Sequence, residues 1–292
     1  MKTILTLLLT FLSVAYAALP TTNTVFVRQI GGSTHVVCRE LFALYDATYH
    51  TTTTIRIVPG ANGLLATKQF VNSTDDLPLL CGGTSEFAFN SIDFPENRDY
   101  VQKFKTISVL TTGPYVFTTR SNSSYSTVWQ LKQSKKHLIV GVHTAGLQLA
   151  ASVVFGEKDV TYVNYKSPQD ALSSLLDGSL DVYVSGGAFS TLTEARRLKT
   201  IGITQSGFST ISLDREYPIL TQLPLIVSLH SHSTLPNLDA IELNKRIEVI
   251  IASPTMQPTL TQFDNVHTPN NITKATTIVN QATDLVERLH QR

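Results

Sequence analysis

The chain has 292 residues, with 23 Lys and Arg against 22 Asp and Glu and a formal charge of +1. That length supplies one large or two medium domains with real cores. The near-neutral balance excludes the basic face that a nucleic acid requires, so an anionic ligand would have to be met by local geometry.

Lys2, the apolar run Ile4 to Val14 and the small-x-small triplet Ala15-Tyr16-Ala17 have the form of an export signal. Cleavage is expected near Ala17, which leaves 1–17 as signal peptide and Ala18 as the mature start. The apolar run is too short for a stop-transfer helix, and no later stretch has membrane length, so the product is expected to be soluble and exported. Cys38 and Cys81 are an even count for an oxidising compartment. They read either as one disulfide or as two buried thiols packing as small hydrophobes.

The first unit is a strand from Val25 to Ile30 that gives way at Gly31-Gly32-Ser33-Thr34 to a helical pattern. Thr34 suits an N-cap, with Val37, Leu41, Leu44 and Tyr45 on one face. Glycine backbone approaching a helix N-terminus makes an anion site, because unpaired N–H groups and the helix dipole both favour negative charge. The same pattern also occurs as a plain α/β turn.

Apolar runs then alternate with helical patterns, the mark of βα units. Strands are predicted at Thr52 to Val58, Leu77 to Cys81, Thr106 to Leu110 and Tyr115 to Thr119, with a short helix from Leu64 to Val71. Asp93 to Gln102 reads as polar and irregular, and Ser121 to Ser124 as a connector at a lobe boundary. Further strands are expected at His137 to Val140, Val160 to Val163, Leu180 to Val184 and Thr200 to Thr204. Helices are expected near Val128 to Ser134 and up to Phe155. Ser167-Pro168-Gln169-Asp170 supplies an N-cap, a proline at the first helical position and an acid at N3. Gly178 stops that helix. Pro224 to Leu229 carries the chain back towards the first lobe. Two helices follow, the first with Leu243, Ile247, Ile250 and Ile251 on one face and the last with Ala275, Ile278, Val279, Ala282, Leu285, Val286 and Leu289 as its core stripe.

Strand ends at Gly31, Gly82 and Gly141 thus share one chemistry, glycine with Ser or Thr opening a helix. Ligands of open α/β sheets sit at carboxyl ends of strands, so these corners suggest a cleft with donors on both walls.

Several stretches resemble, in order, the substrate-binding proteins of tripartite tricarboxylate transporters, the Bug or TctC-like family. Gly31 to Arg39 is similar to its GGxTD-x-x-x-R opening, and Val58 to Gly63 to its RPGAGG turn. Asp75 to Asn90 follows its DGYTLLLGTxSTHAIN segment without a gap. Val163 to Asp181 resembles its VPYKG…AL…LLGGQVD stretch, and Leu243 to Pro254 its LNxALxxALASP helix.

The resemblance implies an α/β, two-lobed type II periplasmic-binding-protein fold, each lobe an open, mainly parallel sheet flanked by helices, with hinge strands between. Residues 18–118 would form the first lobe, 119–225 the second, and 226–292 would return to the first. It implies a periplasmic, monomeric protein that is not an enzyme and uses no cofactor. Such a protein closes on a small organic acid and delivers it to a membrane permease; the alternative is a sensing subunit that presents the acid to a membrane kinase or receptor. Carried over by position, Gly31, Gly32, Ser33 and Thr34 clasp the ligand from one lobe, and the turn from Gly141 through His143, Thr144, Ala145 and Gly146 clasps it from the other. Thr84 and Ser85 line the third-strand turn, and Tyr165 matches the tyrosine of VPYKG.

The chain departs from the family at His35 (Asp in the pattern), at Val27-Arg28 (Pro-Phe), at Leu147 (Ser) and in a shortened segment around Leu229 to Pro236. Arg28 reads as a bidentate contact to a carboxylate or as a strand-edge arginine. His35 and His143 read as groups that charge beside a bound acid, or as ordinary hydrogen-bonded histidines. His230 and His232 form an H-x-H with no third ligand evident, so no metal is expected. No G-x-S-x-G elbow is present. Asn72, Asn122 and Asn271 begin N-x-S/T triplets, which mean little if the source is bacterial, as the resemblance implies.

Overall fold

A computed structural model describes residues 19–134, 136–187, 197–205 and 211–290, so the export signal expected over 1–17 lies outside the described residues. The β-branched and apolar runs pair into two five-stranded sheets of the same design. In the first, β1 (Thr22–Val27) lies between β2 (Thr52–Ile57) and β3 (Pro78–Gly83), parallel to both. The order is completed by β10 (Leu225–His232) and β4 (Phe104–Gly113), giving β2-β1-β3-β10-β4 with β10 antiparallel to both neighbours. The second sheet repeats this as β7-β6-β8-β5-β9, with β6 (Leu138–Val142) parallel to β7 (Val160–Asn164) and β8 (Val182–Ser185). Here β5 (Val116–Arg120) is the antiparallel strand, between β8 and β9 (Leu198–Ile203).

Each sheet is therefore mixed, three parallel strands followed by two that run against their neighbours. The chain crosses from one sheet to the other between Gly113 and Val116 and returns between Ile203 and Leu225. Val116 to Thr118, placed in the first lobe by the boundary stated above, pair with β8 and β9 in the second. Ser121 to Ser124 consequently lies within the second unit. The two crossings hold each other: Tyr115 N donates to Thr204 Oγ1 at 2.9 Å, and Thr204 N donates to the Tyr115 carbonyl at 3.0 Å.

Six helices of two turns or more flank the sheets among the described residues: α1 (Ser33–Tyr49), α2 (Leu64–Val71), α3 (Ala145–Phe155), α4 (Pro168–Asp177), α5 (Asn237–Ile251) and α6 (Ile272–His290). Val37, Leu41, Phe42 and Tyr45 of α1 bury against Leu243, Ile247 and Ile251 of α5 over the first sheet. In α4, Ser167 Oγ accepts from Asp170 N at 3.2 Å, Pro168 takes the first turn and Gly178 closes the helix at φ +96°. Asp93 to Gln102 contains short helical turns, Pro95–Asn97 and Arg98–Gln102, where an irregular segment was expected. The N-cap of α1 is Gly32 in place of Thr34, because the helix begins at Ser33.

Cys38 and Cys81 form a disulfide that ties the second turn of α1 to β3 across 43 residues of chain. Closing a loop of that length stabilises a fold by about 2–4 kcal/mol. Reduction, or the pair Cys38→Ser and Cys81→Ser, is expected to lower the midpoint of thermal unfolding by several degrees, read by circular dichroism with and without reductant.

Candidate functional site

The carboxyl ends of both parallel strand sets face one crevice. Its inner cavity, about 600 Å³ including the open mouth, is lined from the first unit by Arg28, Ser33, Thr34, Thr84 and Glu86, and from the second by His143, Thr144 and Gly146. An outer cavity shares Arg28, Gln29 and His143 with it and continues past Asn62 to Tyr165 and Lys166.

Two helix ends meet there. α1 starts on Gly32 with no side-chain cap, which leaves its first-turn amides to be satisfied from outside the helix. Opposite it, Thr144 caps α3, its Oγ1 accepting from Leu147 N at 3.1 Å. Both ends favour negative charge in the crevice. Gly31 holds φ +82° and sits against Gln169 of α4, where a side chain would collide with the facing unit. The walls are thus in contact, and the apolar rim formed by Phe89 against Gly146 continues that contact.

Most of the positions derived from the resemblance converge here. Gly32, Ser33, Thr34, Thr84, Ser85, Thr144 and Gly146 line the inner cavity, Tyr165 the outer one, and Arg28 and His143 both. Gly31, His35 and Ala145 line neither. His35 is turned inward and accepts the Gly31 N–H at 3.3 Å; burial, then Arg39, holds its pKa below the usual value. Gly141 is a residue of β6, not a turn residue, and its bare Cα makes room for Leu180. The second-unit corner is consequently His143–Thr144. His230 is buried, bonded to Ser228 Oγ at 2.7 Å and packed by Phe87 and Phe104, while His232 bonds Thr234.

Arg28 is not a strand-edge arginine but a buried, paired one. Its side chain is 11% exposed, with Nε 3.4 Å from Glu86 Oε1 and Nη1 donating to Asn62 Oδ1 at 3.2 Å. Glu86 is enclosed; its Oε2 accepts from Gly83 N at 2.8 Å, and burial pushes its pKa up against the pull of Arg28. A π-type turn, Ser85–Phe89, follows β3 and swings this carboxylate back over Gly82 and Gly63. Gly63, at φ +93°, has no Cβ where Oε1 lies. Asn62 Oδ1 also accepts from Ala145 N across the crevice at 3.4 Å, so one amide oxygen links the two units. His143 shares a hydrogen bond with Tyr183 at 2.8 Å and is neutral, its pKa lowered to about 3 by burial and then by Arg28.

Glu86 and Asn62 were not among the residues expected in the site. Each carried a signal in the family patterns quoted above: DGYTLLLGTxSTHAIN has threonine where Glu86 stands, and RPGAGG has glycine where Asn62 stands. Asn at φ +51° is a tolerated occupant of a left-handed turn, and its side chain is what reaches the second unit.

No family model and no curated protein matches the sequence. Solved structures do match over nearly the whole chain. Periplasmic binding protein BugD superposes with a TM-score of 0.78 at 16% identity, covering 93% of this chain and 98% of its own. MatC from Rhodopseudomonas palustris with bound malate gives 0.76 at 18% identity over 92% and 98%. A second R. palustris protein, solved with adipate, gives 0.81 at 16% identity over 93% and 97%. At these identities the likeness is one of fold: the chain has the two-lobed architecture of periplasmic binding proteins. Among the described residues no helix is long and apolar enough to cross a membrane.

Two outcomes follow from the geometry. His143 and His230 both have pKa values lowered to about 3, against 6.5 in an open chain. The unfolded state binds more protons between those values, so their contribution is full above pH 6.5 and is lost as pH falls towards 3. Stability should therefore drop by up to about 1.4 kcal/mol per pH unit for each group below pH 6.5. His230→Gln should flatten that slope in urea titrations run from pH 7 to 4.5. Asn62→Gly keeps a residue suited to the turn but removes the cross-crevice acceptor. The ligand-free variant should scatter X-rays with a larger radius of gyration than the parent, and an unchanged radius would show that Asn62 holds nothing closed.

Proposed function

We propose that the chain is an extracytoplasmic solute-binding protein that captures a small organic carboxylate between its lobes and presents it to a membrane permease of the tripartite tricarboxylate type. One observation carries this reading: a single cavity is lined by the N-terminal turns of a helix from each unit, α1 and α3. Amides at those ends offer partial positive charge in a water-poor crevice without any need for a net basic protein. The malate and adipate held by two proteins of this fold are ligands of that chemistry. The resemblance to the Bug or TctC-like family, with its ordered motifs, supports the choice of permease.

In this mechanism the lobes turn about the crossings near Tyr115 and Thr204, and the ligand completes the interface between them. Closure binds ligand preferentially in one state, so ligand and closed form stabilise each other. No bond is made or broken. The residues that hold the ligand are Ser33 and Thr34 from one lobe, Thr144 and Gly146 from the other, with Thr84, Ser85, Arg28, His143 and Tyr165 around them. Gly32 lines the same cavity, the Ala145 amide opens α3 beside it, and Gly31 and His35 act from behind, shaping the corners.

Ligand at about one hundred times its Kd should add about 2.7 kcal/mol to stability. For a chain of this size that raises the unfolding midpoint by several degrees, read by differential scanning fluorimetry. The panel is mono-, di- and tricarboxylates with amino acids among them. A flat response to every member, confirmed by calorimetry, would overturn the binding role.

A further inference from the structure

The turn between β2 and α2 holds four consecutive residues at positive φ: Gly60 at +126°, Ala61 at +46°, Asn62 at +51° and Gly63 at +93°. Two of them carry side chains in a region that L-residues disfavour. Strain of this kind persists only where the surroundings fix it, and it gathers at ligand clamps and switches. Two contacts fix it here. Gly63 lies against the Glu86 carboxylate, with no room for a Cβ. Asn62 is anchored by its amide oxygen, which accepts from Arg28 Nη1 at 3.2 Å and from Ala145 N at 3.4 Å. Those two donors belong to opposite walls of the crevice. Arg28 lines both cavities, and Ala145 N is the first amide of α3, one of those a helix cannot satisfy within itself.

One oxygen held between a guanidinium and a helix N-terminus is the arrangement a ligand carboxylate would adopt. Asparagine fills that place poorly. Its oxygen is neutral, and its Nδ2 is buried without an acceptor, which is costly. A carboxylate brings charge and no surplus donor. We propose that Asn62 is a built-in competitor of the ligand: in the empty protein its amide oxygen bridges Arg28 and α3 and latches the lobes, and a bound carboxylate displaces it. This rests on the carboxylate-binding reading and adds a regulation of that same site. The latch raises the apparent Kd by the fraction of molecules that are latched. It also screens for charge, because a neutral solute offers an oxygen no better than the one it must displace.

Hydrogen exchange in the absence of any ligand tests the latch. The Ala145 amide should be protected in the parent and exchange several-fold faster in Asn62→Gly, which keeps a residue suited to positive φ; equal rates would overturn the latch. Calorimetric titration of both proteins with succinate, L-malate and adipate tests the competition. For an acid that binds the parent, Asn62→Gly should lower Kd about three- to tenfold, the range of one hydrogen bond removed from the empty state. Asn62→Asp fixes an anion in the same place and should raise Kd about tenfold or more; if it does not fold, Asn62→Gly decides. An acid that binds Asn62→Gly alone supports the proposal. Binding to Asn62→Gly no tighter than to the parent would overturn the competition and leave the carboxylate site standing. Absence of heat with all three acids in both proteins would remove the carboxylate reading, and the competition with it, whatever the exchange of Ala145.

Discussion

The exchange of one strand between the halves is the constraint on which the structure depends. Each sheet is a parallel trio closed by an antiparallel strand, β10 in the first and β5 in the second, and each of these adjoins a crossing. Because the halves share this design, the carboxyl ends of β1, β3 and β6 turn towards a common space. Helices that leave those ends must start there, so α1 and α3 present their N-termini to the same crevice. The first crossing is short, and the start of the return crossing is stitched to it at Tyr115 and Thr204. A binding site between lobes is the natural product of such a topology.

Within the first half, the disulfide adds a second constraint at the right place. Cys38 lies in the second turn of α1 and Cys81 lies two residues before Gly83, so the bond fixes the helix end relative to the corner that carries Thr84 and Glu86. Two segments that line one cavity wall are thereby held as a unit. Preorganisation of this kind lowers the ordering cost that binding must overcome.

The order of strands and helices was largely legible because β-branched runs, Ser-Pro-x-Asp and Gly178 each report a local preference. The helix Leu64–Val71 lies where the pattern put it, and Ser167 caps α4 as its spacing implies. Failures fell where tertiary packing overrides local chemistry. Gly141 reads as a turn residue next to Thr144, yet its lack of a side chain serves Leu180, and the turn forms two residues later. Thr34 has the chemistry of an N-cap, but the left-handed Gly31 lets the helix begin earlier. The site was legible as glycine-and-hydroxyl corners, whereas its ionic content was not. A glutamate after Thr-Ser at a strand end looks solvated in sequence, and only the π-type turn carries it inward to Arg28.

That buried pair explains how an arginine can stand in the wall of the crevice. An isolated Arg28 at the floor of the crevice would bear a large desolvation penalty in the empty state. Glu86 offsets it at 3.4 Å, and Asn62 Oδ1 takes one of the remaining guanidinium donors. Asn62 simultaneously occupies the amide of Ala145, the place where a ligand oxygen would sit on α3. The empty crevice therefore satisfies part of its own polar surface with a side chain that is neutral and can be displaced. A ligand has to replace that contact with a better one, and a carboxylate oxygen, being charged, makes the stronger hydrogen bond to a helix end.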